Sequence, residues 1–253
     1  MEMETETERI RMLYFSLKAG SSAKGHWWSK VYWPLTEVGM GQEGKMLCCP
    51  VPEYYMKSRG WEEERLTDCL NELIHQVECE QYYLQPEVAG MVGIMEKLPP
   101  EILMNRLLHQ VPCMEYLCCI GWEEEQQLLA GLLEPFLPRV NHINVVTDNP
   151  QAYDRFAEYV YGEYGIPMGS ASKLGRNLGR DGRTVILDLK RDYHIPWQAF
   201  PKEAIYVDFW SVMEKRQLLE KYRRDAKYLS VVKFLDTIVK SGYNTRACLK
   251  IHS

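Results

Sequence analysis

Apolar and polar residues alternate along the chain in short blocks, and the period within each block predicts the element it forms. Arg11-Met-Leu-Tyr-Phe-Ser-Leu17 is short, apolar and aromatic, the pattern of a strand. His26 to Leu35 fits either a second strand or an aromatic loop, with Gly20, Gly25, Gly39, Gly41 and Gly44 marking turns around it. Pro50 and Pro52 predict the start of an irregular stretch. From Trp61 to about Cys79 the period changes. Leu66, Cys69, Leu70, Leu73 and Val77 recur at helical spacing, and Glu62, Glu63 and Glu64 lie in the first turn, where the helix dipole favours negative charge. Tyr82-Tyr-Leu84 reads as a short strand.

Beyond Pro99-Pro100, which fits a helix start, strands and helices alternate regularly. Leu103, Leu107 and Leu108 mark a helix, Glu115–Ile120 a buried strand, and Glu123–Leu137 a helix ending at its prolines. His142–Thr147 is the next strand. Asp148-Asn149-Pro150 then supplies a cap and an N1 proline for a helix with Tyr153, Phe156, Ala157, Val160 and Tyr164 on its inner stripe, stopped by Gly165. Thr184–Leu189 and Ala204–Phe209 are further strands. Ser211-Val-Met-Glu214 has the form of a capping box, which predicts a helix running to about Lys240, with a kink or a division into two consecutive helices near Ser230, where its apolar stripe shifts register. The alternation predicts an α/β fold: layered, Rossmann-like, with a mostly parallel sheet and helices on both faces. A soft boundary near residue 98 divides an N-terminal α/β region (1–98) with an aromatic-rich segment from a Rossmann-like domain (99–253) ending in a basic helix.

Composition narrows the class. The 253 residues are 46% hydrophobic and 26% charged, ordinary for a globular chain. No apolar run reaches the ~18 residues of a spanning helix. The acidic start, Met1 to Glu8, is unlike an export signal, so the expected location is cytoplasmic. Net charge is −5, so nucleic-acid binding by the molecule as a whole is not expected. The charge is uneven, because Ser211–Ser253 carries +6 and leaves −11 on the rest. That basic segment is either a solvated helix face or a docking surface for an anionic partner, a protein or, as the weakest reading, a nucleic acid. Four of the eight cysteines form two adjacent pairs (48 and 49, 118 and 119) and none forms a C-x-x-C, which fits buried reduced thiols better than disulfides. His109, Cys113 and Cys118, or His75 with Cys79, could contribute to a zinc site, but a closed site needs four converging ligands.

Candidate chemistry gathers at two places. In an open parallel sheet ligands bind beyond the carboxyl ends of the strands. The residues expected there are Gly121, Trp122, Thr147, Asp148, Asn149, Asp188, Asp208 and Ser211. Three of these are carboxylates from consecutive strands, which could hold Mg²⁺ or serve only as caps and turn acceptors. The segment Met168–Arg183 combines four glycines with Lys173, Arg176, Arg180 and Arg183. Glycine lets backbone N–H groups approach a phosphate and Arg offers a bidentate fork, so this segment is the expected anion site, closing over the same sheet edge as Asp148 and Asp208. The ligand implied is a phosphorylated small molecule or nucleotide; no cofactor, reaction or metal is assigned. The alternative is a non-catalytic interaction or regulatory protein that uses the basic C-terminal helix and the aromatic N-terminal region. The fingerprints of Rossmann dinucleotide binding, P-loops, nucleophile elbows, zinc proteases and kinases are absent from the sequence.

Overall fold

The computed structural model describes residues 10–18, 32–39, 45–52, 61–77, 79, 81–92, 99–111, 115–121, 126–173, 179–192, 195–241 and 245–250. The chain forms two compact units, Met1–Pro100 with Leu235–Ser253, and Glu101–Phe234. The expected grouping of 99–253 therefore differs from the observed one: the last nineteen or so residues return to the first unit, where the final strand finds its pairing partner.

The first unit carries β1 (Ile10–Lys18), β2 (Tyr32–Gly39), β3 (Lys45–Pro52), helix α1 (Trp61–Val77), β4 (Gln81–Leu84), helix α2 (Pro86–Met91) and the last strand, β11 (Thr245–Lys250). The sheet order is β11-β2-β3-β1-β4. β1 is parallel to both β3 and β4, while β2 runs antiparallel to β3 and to β11. Alternate residues Leu13, Phe15, Leu47 and Cys49 pack with Leu66, Leu70 and Leu73 of α1 and Val88 of α2, so the strand period of two meets the helical stripe. Pro50 and Pro52 end a strand rather than begin irregular chain. The β2 pairing of β3 stops at Cys48, so the prolines lie where β3 is paired on the β1 side alone. Of the aromatic segment from His26, residues 26–31 lie outside the described residues, and Tyr32 onward is strand.

The second unit carries α3 (Glu101–His109), β5 (Tyr116–Ile120), α4 (Gln126–Leu133), β6 (His142–Val146), α5 (Asp154–Tyr164), β7 (Met168–Ala171), β8 (Thr184–Asp188), β9 (Ile205–Asp208), α6 (Met213–Tyr222) and β10 (Lys227–Ser230). Helix α7 (Val231–Ser241) follows, and the boundary between units falls within it. Its sheet order is β10-β9-β8-β5-β6-β7, and every pairing is parallel. Counted from β5, that is 3-2-1-4-5-6, the Rossmann order, with its switch point between β5 and β8. Every residue of β8 is buried, as a strand covered on both faces requires. On one face Cys118, Ile120, Ile186 and Tyr206 pack with Trp197, Phe200 and Leu219 of α6. The alternate residues Leu117, Cys119, Val185 and Leu187 are equally buried on the other. The α/β layered architecture is thus the one the sequence pattern predicts.

Three local expectations are corrected. The glycine-rich segment 168–183 opens with an edge strand, β7, held by β6. The basic helix is two helices, one of the two forms the register shift allows, but a strand that was not expected, β10, separates them, because Lys227–Ser230 pairs with Ile205–Asp208. The expected capping box does not form: α6 starts at Met213 behind Val212, without a side-chain cap bond. Ser211 instead adopts a positive φ of 57°, and its hydroxyl accepts the N–H of Val232 at 3.2 Å.

The six described cysteines carry thiols, and burial pushes those of Cys48 and Cys118 up to about 12. No helix among the described residues is long and apolar enough to cross a membrane. Leu70, fully enclosed in the first core, sets a measurable scale for that unit. Leu70→Ala is expected to cost about 2–5 kcal/mol in urea unfolding, through lost transfer energy and the cavity left behind.

Candidate functional site

Parallel register places four residues side by side at the carboxyl edge of the second sheet. Ile120 of β5 pairs with Asp188 of β8, Asp188 with Asp208 of β9, and Asp208 with Ser230 of β10. Residues in register on parallel strands point to the same face. The two carboxylates therefore lie on the α6 side, above Ile186, Tyr206 and Tyr228.

Helix α6 answers them with Lys215. Its side chain is fully buried, as are those of both aspartates. The ammonium lies 2.8 Å from Oδ2 of Asp188 and 3.5 Å from Oδ1 of Asp208, and donates its third bond to the carbonyl of Lys190. The carboxylates have further donors. Asp188 accepts the Tyr206 hydroxyl and, at 2.9 Å, the N–H of Lys190. Asp208 accepts the N–H groups of Trp210 and Val212 at 3.0 and 2.8 Å and the Tyr228 hydroxyl at 2.9 Å. Buried charge persists only when compensated and hydrogen-bonded in this way. With every partner internal, these carboxylates serve the fold. Among the described residues no group of three or more His, Cys, Asp or Glu could hold a metal ion.

One cation faces two carboxylates, so the cluster is a proton short of neutral. Burial raises Asp188 from 3.8 to about 6, against the lowering effect of Lys215 and the Tyr206 hydroxyl. Burial also raises Asp208.

The network holds the loop after β8. Leu189 donates its N–H to Ile120 and accepts the indole N–H of Trp210 at 2.8 Å. Lys190 is fixed through its N–H by Asp188 and through its carbonyl by Lys215. From this anchored root the Lys190 side chain crosses the switch point above Gly121, and its ammonium meets Oδ2 of Asp148, beyond β6, at 3.3 Å. Gly121 has a φ of +65°, which favours glycine, and a methyl there would overlap Cγ of Lys190 and lie 2.5 and 2.7 Å from Cε and Cδ. The Lys190 and Asp148 side chains remain 29% and 67% exposed, so this pair, unlike the one beneath it, meets solvent.

The basic segment does not converge here. Arg183 pairs with Glu115 at 2.9 Å, and the Arg180 guanidinium lies 5.6 Å from the Tyr116 ring centroid. Both partners open β5, so both arginines sit at the amino edge of the sheet, opposite Asp148 and Asp208. The reason is topological: the residues leading into a parallel strand end at its amino edge. Lys173, just after β7, is exposed at the carboxyl edge, and Arg176 lies outside the described residues. Asn149 is exposed and donates its N–H to the Thr147 hydroxyl at 3.3 Å. Asp148 meets Lys190, and Asn149 makes no side-chain cap bond to the short 3-10 turn at Pro150. Ser211 binds α7 backbone, and Trp122 lies outside the described residues. His109, weighed as a zinc ligand, packs 5.1 Å from the Phe136 ring centroid.

Lys190, Lys215, Tyr206 and Tyr228 are the site residues that sequence reasoning missed. A faint signal exists for two of them. Lys190 stands two residues past Asp188 and Lys215 seven past Asp208, each on the carboxyl side of its strand.

No protein-family model matches the chain, and no curated protein does. Two solved structures are similar over most of their length. One is the ligand-free 5-ketofructose reductase of Gluconobacter sp. strain CHM43, at 10% identity, covering 91% of this chain and 90% of that one, with a TM-score of 0.39. The other is a chorismate mutase/shikimate 5-dehydrogenase fusion protein from Clostridium acetobutylicum, at 14% identity, 92% and 89% coverage, and a TM-score of 0.36. At that similarity the strand order above, not the likeness, carries the fold assignment.

Two outcomes are expected of the buried cluster. Lys215→Met strands two carboxylates and costs about 3–5 kcal/mol in chemical unfolding. For Asp188, the folded state favours the protonated form. The stability this contributes is fully present below pH 3.8 and is lost as pH rises through about 6. The stability of the wild type relative to Asp188→Asn should therefore be greater at pH 4 than at pH 7, and equal values at both would refute the assignment.

Proposed function

We propose that the second unit binds a phosphate-bearing small molecule of the nucleotide or sugar-phosphate class in the crevice at its switch point. The ammonium of Lys190 meets the anion, and Asp148, at the end of β6, accepts ligand hydroxyls. The observation that carries this reading is the meeting of Gly121, Asp148 and Lys190 where the strand order reverses, the place at which open parallel sheets bind ligands. An exposed ion pair contributes about 0–1 kcal/mol to stability, so a ligand phosphate exchanges with the Asp148 carboxylate at little cost. The reading is of binding and assigns no reaction, because the carboxylates of Asp188 and Asp208 are engaged internally.

Thermal unfolding across nucleotides and sugar phosphates tests it. A ligand at about 100 times its Kd adds about 2.7 kcal/mol, which raises Tm by several degrees. Lys190→Met should abolish that rise, whereas Arg180→Ala with Arg183→Ala should leave it in place. If the arginine pair removes the rise and Lys190→Met does not, the site lies at the other edge of the sheet.

A further inference from the structure

The same crevice carries information about ligand size. In the Rossmann arrangement a dinucleotide runs across the switch point, and its pyrophosphate approaches the backbone of the glycine turn after the first strand. Here that strand is β5, and Gly121 follows it. The space beside its α-carbon is filled by Cγ, Cδ and Cε of Lys190. The root of that chain is fixed, because its backbone is held on both sides by Asp188 and Lys215, and the preceding residue is held by Ile120 and Trp210. Its far end reaches Asp148. Lys190 thus forms a bar from β8 to β6 across the top of β5.

The bar divides the carboxyl edge into unlike halves. On the β8–β9 side the carboxylates of Asp188 and Asp208 are consumed by the buried Lys215 cluster, and the exposed charges are Arg191 and Asp192 beyond β8. On the β6–β7 side Asp148, Asn149 and Lys173 are exposed. Resting on the phosphate site proposed above, we infer that Lys190 is a specificity-determining residue. It admits a ligand with one phosphate-bearing half on the β6 side, a mononucleotide or sugar phosphate, and excludes dinucleotides. The stem performs the exclusion and the ammonium performs the attraction, two roles that substitutions can separate.

Titration calorimetry of the full chain with AMP, ribose 5-phosphate and NAD⁺ tests this. The wild type should bind AMP or ribose 5-phosphate at least about tenfold more tightly than NAD⁺, a difference well within calorimetric resolution. Lys190→Ala, lacking stem and charge, should lose most of the monophosphate affinity and gain NAD⁺ relative to it. Lys190→Met, which keeps an unbranched stem, should lose the monophosphate without gaining NAD⁺. If the wild type binds NAD⁺ as tightly as AMP, or if Lys190→Met and Lys190→Ala gain NAD⁺ equally, the size filter is wrong while the phosphate site stands. If no phosphate compound binds, both are wrong.

Discussion

The second unit is organised around one buried ammonium. Lys215 stands between Asp188 and Asp208 with no access to water, and all three of its bonds end on groups that would otherwise be costly to bury. Those bonds tie four segments together: the ends of β8 and β9, the loop after β8, and helix α6. Tyr206 and Tyr228 support the carboxylates from below, so the cluster is continuous with the apolar layer formed by Trp197, Phe200 and Ile186. A polar network that is fully satisfied specifies one geometry, because any shift leaves a charge or a donor unpaired. The position of Lys190 at the switch point follows from that constraint.

Buried and exposed ion pairs have opposite consequences in this site, although they are joined through a single residue. The pair beneath the loop is rigid and expensive to break. The pair above it, between Lys190 and Asp148, is wet and contributes little to stability. The backbone of Lys190 therefore belongs to the scaffold while its ammonium, paired with Asp148, meets solvent. Preorganisation of this kind, a charged group on a fixed root, lowers the entropy lost on binding an anion.

Parallel topology also explains why a plausible basic segment is in the wrong place. Every connection between parallel strands starts at the carboxyl edge and must finish at the amino edge. The segment after β7 obeys this rule: Lys173 remains at the carboxyl edge, while Arg180 and Arg183 arrive at the other, against Tyr116 and Glu115. Charge and glycine content identified the segment as unusual. Its two ends nevertheless lie on opposite edges of the sheet, so it could not act as one anion cradle.

By itself the sequence determined the elements whose period was long enough to read. The stripe of Leu66, Leu70 and Leu73 specified α1, the apolar runs at 115–120, 142–147 and 184–189 specified strands to within a residue, and their alternation with helices specified an α/β fold. It also located Asp148, Asp188 and Asp208 at strand ends. Short elements such as β7 and β10 were not legible, because four residues carry too little pattern and are settled by the neighbours they pair with. Only the tertiary structure decided which strand ends are adjacent, that two carboxylates are buried on one lysine, and that the Lys190 stem lies beside Gly121. Those relations join residues tens of positions apart, through a strand order that local periodicity does not encode.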